Sequence, residues 1–225
     1  MKQIPLAIGP EASHTFDSFF TGANGLAVEH LKSLAHTGEA GPPVYLWGPA
    51  GSGKTHLLRA AAAQWQRQGR RVAWFDADAP LPWQPPGPHA LVVLDDCGRY
   101  DAQRQHAAFT LFVEAAATSA QVAAAGRVPP VDLLLRDDLR TRLGWGHVFA
   151  VEPLSEAQTR AALRREADRR GLLLTDELMD YLLNHFDRDL KHLTDRLDAL
   201  DHYALSHKRA LSVPLLRQML AEADE

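Results

Sequence analysis

Apolar positions along the first two thirds of the chain follow two alternating rhythms. Short uninterrupted apolar runs, Val44-Tyr45-Leu46-Trp47, Val72-Ala73-Trp74-Phe75 and Leu91-Val92-Val93-Leu94, have the length and content of buried strands. Gln121 to Ala125 and Val148 to Val151 predict two more. Between them the spacing is helical. Asn24 to Thr37 brings Leu26, Ala27, Leu31, Leu34 and Ala35 together and ends before Gly38, and Thr55 to Arg67, rich in Leu, Ala and Gln, ends before Gly69. Ala102 to Ser119 predicts a long helix with Phe109, Phe112 and Val113 on one side. The prolines between Pro80 and Pro88 forbid regular structure and predict a loop. Strands alternating with helices imply parallel pairing through crossovers, so the region is expected to be an α/β layer around a parallel five-stranded sheet.

The pattern changes at Pro153. Ser155-Glu156-Ala157-Gln158 is a capping box that opens a helix to about Arg170. Helices over Thr175 to Phe186, Asp189 to Ser206 and Ser212 to Ala223 follow, the last with Pro214 near its start. The expected organisation is therefore a tail over residues 1–14, an α/β domain over 15–152 and a small all-helical domain over 153–225.

Composition narrows the classes. The 225 residues are 46% hydrophobic, with 15 Gly and 14 Pro, as in an ordinary soluble globular protein. No apolar run approaches the about 20 residues that span a bilayer. The amino terminus lacks the apolar stretch and cleavage site of a secretory leader, and the single Cys97 excludes an intramolecular disulfide. A cytoplasmic location is expected. The formal charge of -4, from 24 basic and 28 acidic residues without a block of either sign, argues for a protein partner ahead of direct DNA binding.

The chemistry centres on Gly48-Pro49-Ala50-Gly51-Ser52-Gly53-Lys54-Thr55-His56, between a predicted strand and a predicted helix. A phosphate-binding loop needs glycine where the backbone turns with positive φ to aim its amides at an anion, and Gly48, Gly51 and Gly53 supply that freedom. Lys54 can reach the β- and γ-phosphates, and the Thr55 hydroxyl can ligate Mg2+. Asp95 and Asp96 end an apolar strand, the place from which such proteins hold the metal and prepare the attacking water. Asp95 is expected at the metal and Asp96 at the water. The stretch from Arg136 to Gly146 reads as a charged turn, either solvated surface or the source of an arginine acting in trans, and Arg188 as a surface ion pair or a second nucleotide sensor. The 11 histidines show no paired metal-ligand spacing. Cys97 reads as a small buried residue rather than a nucleophile.

Taken together, the glycine loop, Leu91 to Asp96, Thr141-Arg142-Leu143-Gly144-Trp145-Gly146, Arg188 and the opening segment Thr15-Phe16-Asp17-Ser18-Phe19 resemble the AAA+ ATPases, specifically the initiator branch that contains DnaA. The resemblance implies an AAA+ P-loop domain with a helical lid, Arg142 as a trans-acting finger and Arg188 as a second sensor that bridges domain and lid. DnaA itself has an amino-terminal interaction domain and a carboxy-terminal DNA-binding domain, and neither is expected here. That architecture is similar to the Hda family of regulatory inactivators, which work with the DNA-loaded sliding clamp to make DnaA hydrolyse its ATP and so repress re-initiation of chromosomal replication. Gln3-Ile4-Pro5-Leu6-Ala7-Ile8 is similar to a clamp-docking hexapeptide, with Gln3, Ile4, Leu6 and Ile8 as its contacts. The resemblance implies as partners DnaA and the DNA polymerase III sliding clamp, with nucleoid association through the clamp, and ADP or ATP with Mg2+ as cofactors. Where the family places a polar or acidic first sensor, this chain has Ala124-Ala125-Gly126-Arg127, so weak or no intrinsic ATPase is expected. The alternative is a self-sufficient AAA+ ATPase, such as a DnaC-like helicase-loading adaptor or a diverged DnaA-type initiator. Self-association stays open.

Overall fold

The computed structural model describes residues 14–37, 39–186 and 189–223. They divide into two compact units, the first ending at Pro153 and the second beginning at Leu154.

The first unit carries α1 (Gly25–Thr37), β1 (Val44–Trp47), α2 (Lys54–Arg67), β2 (Val72–Phe75), β3 (Leu91–Leu94), α3 (Ala102–Thr118), β4 (Gln121–Gly126), α4 (Asp137–Gly144) and β5 (His147–Ala150). Its five strands pair in parallel in the order β2-β3-β4-β1-β5, as the strand and helix alternation requires. Side chains on a strand alternate between faces, and both faces here are covered. Val44, Leu46, Leu91, Val93, Ala123 and Ala125 pack under α1 and α2. Tyr45, Val92, Leu94, Val122 and Ala124 pack under α3 and α4. Gln121, fully buried, accepts from the Gly41 amide at 2.8 Å and donates to the Pro42 and Val122 carbonyls, which anchors the approach to β1.

The helical faces differ in detail from the sequence reading. In α1 the buried face is Ala27, Val28, Leu31 and Ala35, while Leu26 is 82% exposed. In α3 it is Ala108, Leu111, Phe112 and Ala115, and Val113 faces solvent. Residues 137–144, expected as a charged turn, form α4, anchored by buried Leu139 and Leu143 and with Asp137 and Asp138 in its first turn. Acidic residues there favour the positive end of the helix dipole. Strand β5 lies one residue earlier than expected and forms an edge of the sheet. The proline-rich loop carries no regular element but is anchored: Trp83 stacks on Phe75 at 4.9 Å and meets Tyr100 edge-on at 5.3 Å.

The second unit is helical throughout: α5 (Glu156–Arg169), α6 (Asp176–His185), α7 (Leu190–His207) and α8 (Val213–Ala223). Its core includes Leu163, Leu178, Met179, Leu182, Leu193, Leu197 and Leu216. The Ser155–Gln158 capping box is formed in both directions, and Thr175 and Asp189 cap the next two helices. Each such cap is worth about 1 kcal/mol. Among the described residues no helix is long and apolar enough to cross a membrane.

Candidate functional site

In a parallel sheet all carboxyl ends lie at one edge, and β3, β4 and β1 are neighbours there. The segments leaving them, 48–53, 95–96 and 126–127, therefore converge. The loop after β1 turns with Gly48, Gly51 and Gly53 at φ 155°, 74° and 99°. Two of these glycines are also required by space: a Cβ on Gly48 would overlap the Val151 carbonyl oxygen, and one on Gly53 would stand 2.6 Å from Phe19. Gly53 is the N-cap of α2 and gives no side-chain cap, and the first helical turn carries no acid. The first amides of α2 thus remain for an anion, with the helix dipole behind them.

Lys54 holds its ammonium inside the loop, donating to the Gly48 and Pro49 carbonyls at 2.8 and 2.6 Å. Thr55 donates its hydroxyl to Asp95 Oδ2 at 2.8 Å, so the two residues expected at a metal are brought together. Asp95 is 8% exposed. Burial pushes its carboxyl above the usual range, while the Thr55 hydroxyl and the Asp96 amide pull it back. A buried carboxylate of this kind gains from a cation. Among the described residues no group of three or more His, Cys, Asp or Glu could hold a metal alone. One hydroxyl and one carboxylate suit Mg2+ completed by phosphate oxygens and water. With its glycine cradle, its cation and this pair, the site fits a magnesium nucleotide.

Asp96 adopts left-handed backbone, φ 49°, and its carboxylate faces Arg127 Nε at 3.8 Å and Arg99 Nη1 at 4.0 Å. Strand β4 ends at Gly126, and a Cβ there would overlap the Tyr45 hydroxyl, which donates to the Val128 carbonyl at 3.0 Å. The strand end can bear no side chain unless Tyr45 moves. Neither the Tyr45 placement nor the Arg99 contact is legible from spacing.

His56, expected as part of the loop, turns its imidazole to the 14–19 segment. Its Nε2 lies 3.0 Å from the Thr15 carbonyl, and its ring packs on His14 and Phe19. The group it can offer an anion is its amide in the first turn of α2. Cys97 is buried, and burial pushes its thiol up to about 12, which suits the packing role expected of it. Gln3, Ile4, Leu6, Ile8 and Arg188 lie outside the described residues.

Arg142 belongs to a different place. It sits in the last turn of α4 with its guanidinium 5.0 Å from the centre of the Phe109 ring, beside an open depression of about 600 Å³ lined also by Asp137, Asp138, Thr141 and Trp145. The chain then reaches His147, whose amide donates to the Pro43 carbonyl just before β1 begins, and a Cβ on Gly146 would overlap Pro43. The end of α4 therefore stands at the amino edge of the sheet, opposite the phosphate loop.

Residues 11–81 match the family described as the bacterial DnaA ATPase domain, and residues 156–220 match the Hda lid domain. Domain III of the Thermotoga maritima replication initiation protein DnaA superposes with a TM-score of 0.74 at 19% identity, over 95% of this chain and 98% of that one. AMPPCP-bound DnaA from Aquifex aeolicus gives 0.68 at 23% identity, over 85% of this chain and 66% of that one. The chain thus spans just under two thirds of the initiator chain. A Thermotoga maritima RuvB variant gives 0.68 at 13% identity, covering 92% of this chain and 72% of that one. At these identities the structures speak for a common fold.

Proposed function

We propose that this chain, a DnaA- and Hda-related AAA+ protein with a P-loop domain and a helical lid, is a regulatory inactivator of the initiator DnaA. It binds ADP or ATP with Mg2+ through Gly48 to Thr55 and Asp95. It docks on the sliding clamp through Gln3, Ile4, Leu6 and Ile8, and it presents Arg142 to the ATP of DnaA.

The observation that carries this reading is the position of Arg142. Strand residues rise about 3.3 Å each, so a four-residue strand alone puts about 10 Å between the edge that bears Lys54 and the edge that bears Arg142. The Arg142 guanidinium lies over Phe109. A nucleotide that meets it there belongs to another chain, and a guanidinium delivered in trans stabilises the charge that develops on a transferring γ-phosphate. Trp145, 75% exposed, lines the same depression as Arg142 and suits a protein surface better than water.

The test is a reconstituted assay with ATP-loaded DnaA and clamp-loaded DNA. Addition of this chain is expected to convert DnaA-ATP to DnaA-ADP, and Arg142→Ala to abolish that gain. An Arg142→Ala variant as fast as the parent rejects the trans finger. Clamp pull-down lost on Gln3→Ala tests the tether separately.

A further inference from the structure

The edge strand β2 and the helix before it carry charge that the formal value of -4 conceals. Residues 40–75 hold Lys54, Arg59, Arg67, Arg70 and Arg71 and not one Asp or Glu. Two of these cations are in use: Lys54 in the phosphate loop, and Arg70, which donates to the Thr37 carbonyl at 3.1 Å and ties the end of α2 to the end of α1. Arg59, Arg67 and Arg71 are exposed, and among the described residues no carboxylate pairs with any of them. Arg67 suits the negative end of the α2 dipole. The dipole does not account for Arg59, in the second turn, or for Arg71, beyond the helix.

Positions 59, 63, 66 and 67 share one face of a helix. From it α2 shows Arg59, Gln66 and Arg67 to solvent, the two arginines about 12 Å apart along the axis. Arg59 reaches over the edge strand, its guanidinium 5.8 Å from the centre of the Trp74 ring. A guanidinium laid on an indole keeps its N–H groups for oxygen acceptors in its own plane. Arg71 enters β2 at the rim of this strip, against Gly87. On the α1 side Arg67 lines a groove with Lys32, His36 and two acids, Asp17 and Glu29, of which Glu29 is paired with Lys32 at 3.1 Å.

No large apolar side chain of residues 40–75 is exposed. The strip therefore lacks both the apolar centre of a protein interface and the residues that enter a lipid layer. Trp74 is half-buried and covered by Arg59, so the open aromatic platforms on which unpaired bases stack are missing too. What remains is spaced positive charge with a glutamine donor beside it, the chemistry that grips phosphates without reading bases. We propose that the exposed face of α2 and the entry to β2 form a docking strip for the phosphate backbone of duplex DNA, independent of sequence. It requires neither the nucleotide site nor Arg142.

The experiment follows the anisotropy of a labelled DNA duplex, and of a single strand of the same length, titrated with the purified full chain at about 50 to 200 mM salt. The duplex is expected to bind with a Kd of about 10⁻⁵ M at the low-salt end and about 10- to 40-fold more weakly at the high-salt end, the dependence of two to three phosphate contacts. Arg59→Gln, Arg67→Gln and Arg71→Gln each lower the slope of log K against log salt by about 1, and the triple variant binds the duplex at least about ten-fold more weakly at low salt. Arg59→Lys with Arg67→Lys keeps both charges and retains the slope. Arg169→Gln with Lys191→Gln removes two charges from the helical unit, where Glu166 and Asp195 already pair with them, and leaves duplex affinity within about two-fold. The proposal is overturned if the parent leaves the duplex unbound, if the triple variant binds as tightly as the parent, or if the lysine variant loses the slope. It is overturned equally if the helical-unit variant loses as much affinity as Arg59→Gln with Arg67→Gln, or if the single strand binds more tightly than the duplex.

Discussion

The two edges of the sheet in the α/β unit are built on contrasting plans. At the carboxyl edge the polar groups are already engaged with one another: Ser52 and Asp95 are buried, Lys54 bonds to its own loop, Thr55 to Asp95, and Asp96 meets Arg127 and Arg99. At the amino edge Arg142 lies over Phe109 next to an exposed Trp145, while at the start of the same helix Arg140 and Arg136 pair with Asp137 and Asp138 on the surface. The first edge resembles a container whose groups rearrange around a ligand. The second resembles a presented surface, where an aromatic and a guanidinium dominate recognition. On the proposed reading, one domain holds one nucleotide and acts on another.

The largest effect that would break this comparison is at Arg142. Arg142→Ala is expected to lower stimulated hydrolysis of DnaA-bound ATP by about 10³-fold, the scale of a trans-acting arginine, and to leave the chain's own ATP affinity within about two-fold. A large loss of own affinity, measured by equilibrium binding, would mean that the two edges are not separate. Lys54→Ala is the converse change. Loss of two charge-assisted bonds to phosphate, about 1.5 kcal/mol or more each, predicts at least about a 100-fold weaker affinity for ATP. Isothermal titration reads this directly, and retained binding would remove the carboxyl edge as the container.

Asp95→Asn sharpens the contrast by separating stability from function. The folded-state pKa of Asp95 is raised, with burial as the first cause. Its contribution to stability is therefore full only below the ordinary value of 3.8 and is lost as pH rises through the folded value. At neutral pH the buried carboxylate penalises the nucleotide-free fold. The asparagine is expected to raise the thermal midpoint of the α/β unit by about 2–4 °C at neutral pH. That gain should vanish towards the acid range. The same substitution should weaken ATP binding about ten-fold in Mg2+ and have little effect in a chelator.

Much of the container was legible in the sequence because it is local. Glycine spacing forces the positive φ values at 48, 51 and 53, and the apolar runs before Gly48 and Asp95 place both segments at strand ends. The presented edge was half legible. Arg142 was visible, but α4 was hidden, because only Leu139 and Leu143 of its eight residues are buried and its charges resemble a turn. The faces of α1 and α3 were partly legible: Ala27, Leu31, Ala35 and Phe112 are buried as expected, whereas Leu26 and Val113 are exposed and Val28, Ala108, Leu111 and Ala115 complete the buried faces. The Asp96–Arg127 pair and the Tyr45 placement join β1, β3 and β4, and such cross-strand geometry has no signature in any single segment.

The smallest expected effect bears on how the container is closed at its helical side. His56 sits in the first turn of α2 and holds the 14–19 segment, facing His14, Phe19, the Thr15 carbonyl and the Ser18 hydroxyl, with Arg59 one turn away. Its folded pKa is lowered, first by burial, which outweighs the Thr15 carbonyl that acts in the other direction, and the positive charge of Arg59 adds to the lowering. The sign follows: a base buried neutral contributes stability that is full above its ordinary value of 6.5 and is lost as pH falls through the folded value. Acidification from about pH 7.5 to 5.5 should therefore lower the thermal midpoint of the parent more than that of His56→Gln, by about 2 °C. The glutamine keeps a donor for Thr15 but cannot be protonated in this range. Equal pH profiles would show that the segment is held by the Phe19 and Gly53 contact instead, and would shift the closing of the phosphate loop from a titratable ring to an apolar one.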